Sequence, residues 1–280
     1  MERAARGLLA AHVALIAFST VALTTFLAGN PPAWLATEPA QTTYRYGWML
    51  SGPSYVVLGA AAMFFHATKR FGFARASGLL AAGALISLSA ELLGTSTGLP
   101  FGPYSYTTLL GYRIGGLVPF PIPLSWFYMV YASIAITGRI LPARASELTK
   151  TGWAFCAGAI LTAWDVAMDP AMSKATTHWL WHTDGFFYGM PLSNWIGWFL
   201  TGSIVARAIL AVVPPELFAE KVSPSSLPLA IYAINGIMPI AICFRHELWW
   251  AGIFGIAAMG LPLALAWRSD RVIPPVIFGT

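Results

Sequence analysis

Three acids stand where acids are expensive. Glu91 lies within Ser89-Ala-Glu-Leu-Leu-Gly-Thr95, and Asp165 and Asp169 lie within Thr162-Ala-Trp-Asp-Val-Ala-Met-Asp-Pro170. A carboxyl inside a membrane helix is costly and by default marks a functional site. Asp165 and Asp169 are four apart, so they share one helix face. Desolvation disfavours an anion, so a carboxyl in an apolar pocket can serve as a general acid at neutral pH. The plain alternative is that each acid pairs with an arginine or caps a neighbouring helix. Asp169 is most open to that reading, because Pro170 is expected to end its helix.

Other polar residues cluster nearby in sequence. Thr177-His-Trp-Leu-Trp-His-Thr-Asp184 places His178 and His182 on one face if the stretch is helical. The chain has five histidines, and His12 and His66 fall toward the other side. Membrane di-iron hydroxylases and desaturases need far more, so no metal is expected. Trp179 and Trp181 read most simply as an interfacial belt. A histidine there could instead hold or deprotonate a water near the carboxyls. Asn194 can cap the helix it opens. Asn235 lies inside an apolar segment, where an amide needs a partner. Arg245-His246-Glu247 reads as a snorkelling cluster or as a counter-ion for Asp165 or Asp169. Tyr104, Tyr106, Trp126, Tyr188 and Trp195 border irregular loops. Aromatic faces there would suit a flat apolar ligand and stabilise a nearby carbocation.

The elements that must position these groups follow from composition. Sixteen Lys and Arg and eleven Asp and Glu make 10% of 280 residues, and 57% are hydrophobic. An average soluble protein is about 25% charged. Mean hydropathy is +0.66. A cytosolic enzyme, a disordered chain and a small disulfide scaffold are excluded; an all-α polytopic membrane protein is expected. Eight apolar segments are expected, near 8–28, 50–68, 77–96, 119–138, 152–169, 193–213, 227–244 and 248–267. With both termini inside, twelve Lys and Arg fall on the cytoplasmic side and four (Arg45, Arg113, Lys174 and Arg245) outside. That split obeys the positive-inside rule and predicts a multi-pass protein of the cell membrane. The net charge of +5 is therefore a topology signal, and no basic cluster suggests nucleic acid. The first apolar run is read as a retained helix rather than a signal peptide. Two free-standing cysteines suggest neither a disulfide nor a zinc site.

The outer connections at about 97–118 and 170–192 are long and rich in Gly, Pro and aromatics. Irregular backbone at membrane depth survives only where protein buries it or it lines a cavity. These loops are expected to fold back onto the helices, and residues 1–280 are read as one membrane domain. In this topology Glu91, Asp165 and Asp169 all fall in the outer third of the membrane, at one depth. No nucleotide fingerprint is present.

The motifs Glu91-Leu-Leu-Gly-Thr-Ser-Thr-Gly-Leu-Pro-Phe-Gly-Pro-Tyr-Ser-Tyr106, Leu110-Gly111, Val118-Pro119 and Ile122-Pro-Leu-Ser-Trp126 resemble the carotenoid 1′,2′-hydratases of the CruF type. So do Asp165-Val-Ala-Met-Asp-Pro170, Trp179-Leu-Trp181, Gly185-Phe-Phe-Tyr-Gly189, Pro191, Asn194 and Gly197-Trp198. That family includes the bisanhydrobacterioruberin hydratases. The resemblance implies cofactor-independent addition of water to the C1′,2′ double bond of a carotenoid ψ-end, such as that of γ-carotene or lycopene. An acid would protonate C2′, leaving a tertiary cation at C1′ that water captures. Asp165 or Glu91 is the candidate acid, with the other, or Asp169, steering the water. Tyr104, Tyr106, Trp126, His178, Trp179, Tyr188, Asn194 and Trp195 are candidate substrate contacts. The expected partners are a carotenoid entering laterally from lipid, membrane lipids and other carotenoid-pathway enzymes.

Three alternatives remain. A carotenoid cyclase also begins by protonating a ψ-end, but Pro214-Pro-Glu-Leu217 lacks the second acid of the cyclase motif. A UbiA-like prenyltransferase needs a second Asp-rich motif beside Asp165 and Asp169 to hold magnesium and diphosphate. A non-enzymatic carrier of an apolar ligand would leave three acids at one depth unexplained.

Overall fold

The computed structural model describes residues 1–26, 33–219 and 225–271. It is an all-α membrane protein whose irregular segments fold onto the helices. Its long helices are α1 (Glu2–Val21), α2 (Glu38–Phe71), α3 (Phe73–Thr97), α4 (Pro121–Ile140), α5 (Glu147–Pro170) and α6 (Leu192–Val212). A short α7 (Pro215–Phe218) precedes α8 (Leu227–Arg245) and α9 (Trp249–Arg271). Each of the eight expected apolar segments overlaps one long helix. Glu220 and Lys221, counted on the cytoplasmic side, lie outside the described residues.

Local chemistry explains the boundaries. Gly72 alone separates α2 from α3 at φ +85°, a conformation that favours glycine. Gly98 ends α3 in the left-handed region, its N–H donating to the Gly94 carbonyl. Ser146 caps α5, its hydroxyl accepting from the Thr149 N–H at 3.1 Å. At the far end of α5 the expected stop is softer than predicted. Pro170 closes the α-helix, but the chain continues through a π-helical turn at Ala171–Ala175.

The expected count of eight spans is corrected to six. Among the described residues, α1, α2, α3, α6, α8 and α9 are long and apolar enough to cross a membrane. The other two are α4, at the centre, and α5, which is buried on the face that carries Asp165 and Asp169. Helix α4 packs against α2, α3, α5, α6, α8 and α9, and its side chains are buried from Ser125 to Ile134. Helices shielded by others need no continuous apolar surface. They can carry Ser125, Tyr128, Tyr131, Asp165 and Asp169 instead of aliphatic residues.

One end of the bundle is closed by the irregular segments. Strand β1 (Tyr104–Tyr106) pairs antiparallel with β4 (Trp179–Trp181), and β2 (Arg113–Ile114) with β3 (Val118–Pro119). The first pairing joins the segment after α3 to the segment after α5. Its register sets Tyr104 opposite Trp181 and Tyr106 opposite Trp179.

Candidate active site

The β1–β4 ladder builds the site. Alternate residues of a strand share a face, so Tyr104, Tyr106, Trp179 and Trp181 all point one way. Ser105 and Leu180 point the other way, the Ser105 hydroxyl meeting His182 Nε2 at 2.8 Å. The four inward rings contact across the strands, Tyr104 with Trp181 at 5.4 Å between centroids and Tyr106 with Trp179 at 6.0 Å.

Their polar tips divide between two carboxyls. Tyr104 and Tyr106 donate to Glu91 Oε2 at 2.5 and 2.8 Å, and the Trp126 indole donates to Glu91 Oε1 at 2.9 Å. Trp179 donates to Asp169 Oδ2 at 3.0 Å. Trp181 and the Ser173 hydroxyl each donate to Asp169 Oδ1 at 3.0 Å. Each acid thus receives three donors. Asp165 receives one, from Asn194 Nδ2 to Oδ2 at 2.8 Å, while its Oδ1 is buried without a partner. Glu91, Asp165 and Asp169 are 3%, 0% and 2% exposed. Among the described residues, no Lys or Arg forms an ion pair with any of them.

A cavity lies beside this cluster. Glu91, Asp169, Tyr104, Tyr106, Trp126, His178, Trp179 and Asn194 line it, as do Trp164, Trp181 and Trp198. The last three form part of an aromatic wall. Trp126 stacks on Trp198 at 4.4 Å, and Trp198 meets Trp164 edge-on at 5.8 Å. Met168, Met172, Met238 and Ile16 add apolar surface. The combination of indole faces, thioethers and two acids suits an apolar ligand with a polar reaction centre.

Several sequence expectations change here. Asp165 is not on the cavity wall but behind Asn194. Asn194 does not cap α6 with its side chain; Pro191 stands at the cap and the amide turns to Asp165. His178 and His182 are not a helical pair, because they flank a strand. Trp179 and Trp181 are not a lipid-facing belt, since their N–H groups turn inward to Asp169. Tyr188 and Trp195 are not brought to the cavity. The Tyr188 hydroxyl accepts from the Trp250 backbone N–H at 3.2 Å, and Trp195 packs against Phe186 and Phe187. Arg245 is not the counter-ion of the aspartates; its Nε donates to the Thr24 carbonyl at 3.1 Å.

His178 lines the cavity, with Nδ1 2.7 Å from the Thr176 hydroxyl. Burial holds its pKa down to about 4, so the ring is neutral at ordinary pH. Burial, followed by the neighbouring Glu91 charge, drives the Tyr104 and Tyr106 hydroxyls well above the usual phenol range. Both remain hydrogen-bond donors.

Sequence reasoning missed Trp164, Trp181 and Trp198 as wall residues. Trp181 was within reach, being two residues from Trp179 in a strand. Trp164 and Trp198 sit on different helices, and only helix packing brings them together.

Comparisons with known proteins give the chain's family. The family model for carotenoid biosynthesis proteins matches residues 51–262. A bisanhydrobacterioruberin hydratase of Haloarcula japonica is 34% identical over 130 residues, covering 46% of this chain and 43% of that protein. The chain therefore aligns with less than half the length of that curated relative. No solved structure matches. The family match covers α3 to α6 and both paired strands that build the cavity, and on that extent the chain belongs to the carotenoid biosynthesis protein family.

Proposed function

We propose that the chain is a carotenoid hydratase, a hydro-lyase that adds water across the C1′,2′ double bond of a ψ-end. The observation that carries this reading is the pair of acids on one wall of an aromatic, apolar cavity, each held by three donors and neither paired with a cation. The similarity to a curated hydratase supports it. Burying three carboxyls without a counter-ion is cheapest when the cluster keeps protons.

The donors divide the roles. Indole N–H groups can only donate, so Trp179 and Trp181 fix Asp169 as an acceptor. The hydroxyls on Glu91 can turn and accept, so Glu91 tolerates a proton. Glu91 gives that proton to C2′ as the double-bond electrons form the new C–H bond. The tertiary cation left at C1′ faces the tryptophan wall, where cation–π attraction lowers its energy. Water bonds to C1′, and Asp169 takes the proton it releases. Return of one proton from Asp169 to Glu91 restores the starting state. Asp165 touches neither reactant; through Asn194 and its nearness to Asp169 it is a positioning residue.

A carotenoid is long and apolar, so it enters from the lipid with only its end group in the cavity. Both termini lie on the cytoplasmic face of the cell membrane in this reading. Expression in cells that accumulate lycopene or γ-carotene tests it. The expected result is a pigment heavier by one water. A pigment of unchanged mass with cyclised ends would replace the hydratase by a cyclase, and no new pigment would refute both.

A further inference from the structure

The cavity has a second set of polar groups besides the carboxyls. Tyr55, Tyr128 and Asn235 line it, among Ile16, Val56 and Met238. The Tyr128 hydroxyl donates to Asn235 Oδ1 at 3.0 Å. Asn235 Nδ2 reaches His12 Nε2 at 3.0 Å and the Ile231 carbonyl at 2.8 Å. His12 Nδ1 lies 2.7 Å from the Tyr55 carbonyl and donates to it, while Nε2, facing the Asn235 amide N–H, accepts. His12 and Asn235 are therefore fully occupied by protein. Both tyrosine rings pack on His12, with centroids 6.1 Å from the imidazole.

Two valences are left over. The Tyr55 hydroxyl has no hydrogen-bond partner among the described residues, and the Tyr128 oxygen can still accept. A hydroxyl that lines a cavity and meets no protein partner is open to water, and a water with two to four polar partners is held at such groups. We infer that the Tyr55 and Tyr128 hydroxyls form a seat for one water molecule, and that this is the water consumed in the reaction. This inference rests on the hydratase reading. The acid and the waiting water are then held by different residues of the cavity wall, so the unreacted water does not hydrate Glu91. Once C2′ is protonated the C1′–C2′ bond is single, and the new oxonium can turn to release its proton to Asp169.

The test is the fate of the cation in deuterium oxide. A cation that finds no water loses a proton, returning alkene that has gained deuterium at C2′ through the exchangeable acid. Tyr55→Phe and Tyr128→Phe each remove one oxygen and keep the ring. Membranes bearing each variant, matched for protein, are supplied with lycopene, and hydrated product and deuterated lycopene are read by mass. The expected result is a ratio of hydrated to deuterated pigment lowered roughly fivefold to tenfold, the scale of one lost hydrogen bond. Hydration and exchange falling together, or an unchanged ratio in both variants, would overturn the seat while leaving the hydratase reading intact. Wild-type protein that neither hydrates nor deuterates lycopene or γ-carotene would instead refute the hydratase reading, and the seat with it.

Discussion

Glu91 is held by two tyrosines and a tryptophan, Asp169 by two tryptophans and a serine. That chemical difference separates the two variants that turn a carboxyl into an amide. Glu91→Gln should stop both hydration and deuterium exchange into the substrate, lowering each by about a hundredfold or more. Asp169→Asn should stop hydration while exchange persists, because protonation still occurs without a base for the water. Pigment mass spectra in deuterium oxide separate the cases, with membrane insertion checked by immunoblot. Equal exchange by wild type and Glu91→Gln would remove Glu91 as the acid. Asp165→Asn should lower both products by a smaller factor, since Asp165 acts through Asn194 and Asp169. At this scale the acids themselves were legible in the sequence, because charge in an apolar run stands out. Their partners were not, because a tyrosine or tryptophan in a loop has the same sequence signature whether it faces lipid or a carboxyl.

Helix α3 and strand β1 meet at Gly94, one turn beyond Glu91. A Cβ there would lie 2.7 Å from Phe101 Cδ2 and 3.2 Å from the Tyr104 hydroxyl oxygen. Gly94→Ala must push Phe101 and Tyr104 outward, at about 1–3 kcal/mol of stability. A lower melting temperature together with reduced activity is expected; an unchanged protein would show that the β1 segment is not held against α3 as described. The segment between α5 and β4 carries a pH signal as well. Folded His178 has a pKa of about 4, held below the ordinary imidazole value of 6.5 by burial. The unfolded chain therefore binds a proton that the folded chain refuses, so stability should fall as pH drops from about 6.5 toward 4. His178→Gln should remove that part of the slope in thermal melts taken across this range. The sequence suggested that the long connections fold back on the bundle. It could not show that they pair as strands, because three-residue strands from separate segments carry no periodicity long enough to read.

Among the described residues, six helices are apolar enough to cross a membrane, and they pack around two that are not. Hydropathy found all eight long segments, yet it treats each as though it faced lipid. Those two helices are solvated by protein, and that is why the acids can sit there. A protein of this form should act on a carotenoid only when the pigment is delivered in the bilayer. Proteoliposomes with lycopene in the lipid should turn over, while lycopene offered in detergent micelles to the same liposomes should react far more slowly. Equal rates would argue for entry from the aqueous side.

Composition alone determined that the chain is a helical membrane protein, because so few charges cannot form a water-soluble shell. The spacing of Asp165 and Asp169 determined that they share a helix face. Tertiary structure decided the rest. It paired β1 with β4, dividing four aromatic donors between Glu91 and Asp169. It placed Asp165 behind Asn194, brought Trp126, Trp164 and Trp198 into one wall, and joined His12 to Asn235 across most of the chain. These contacts depend on helix rotation and strand register, which are set by packing among segments distant in sequence rather than by any one of them.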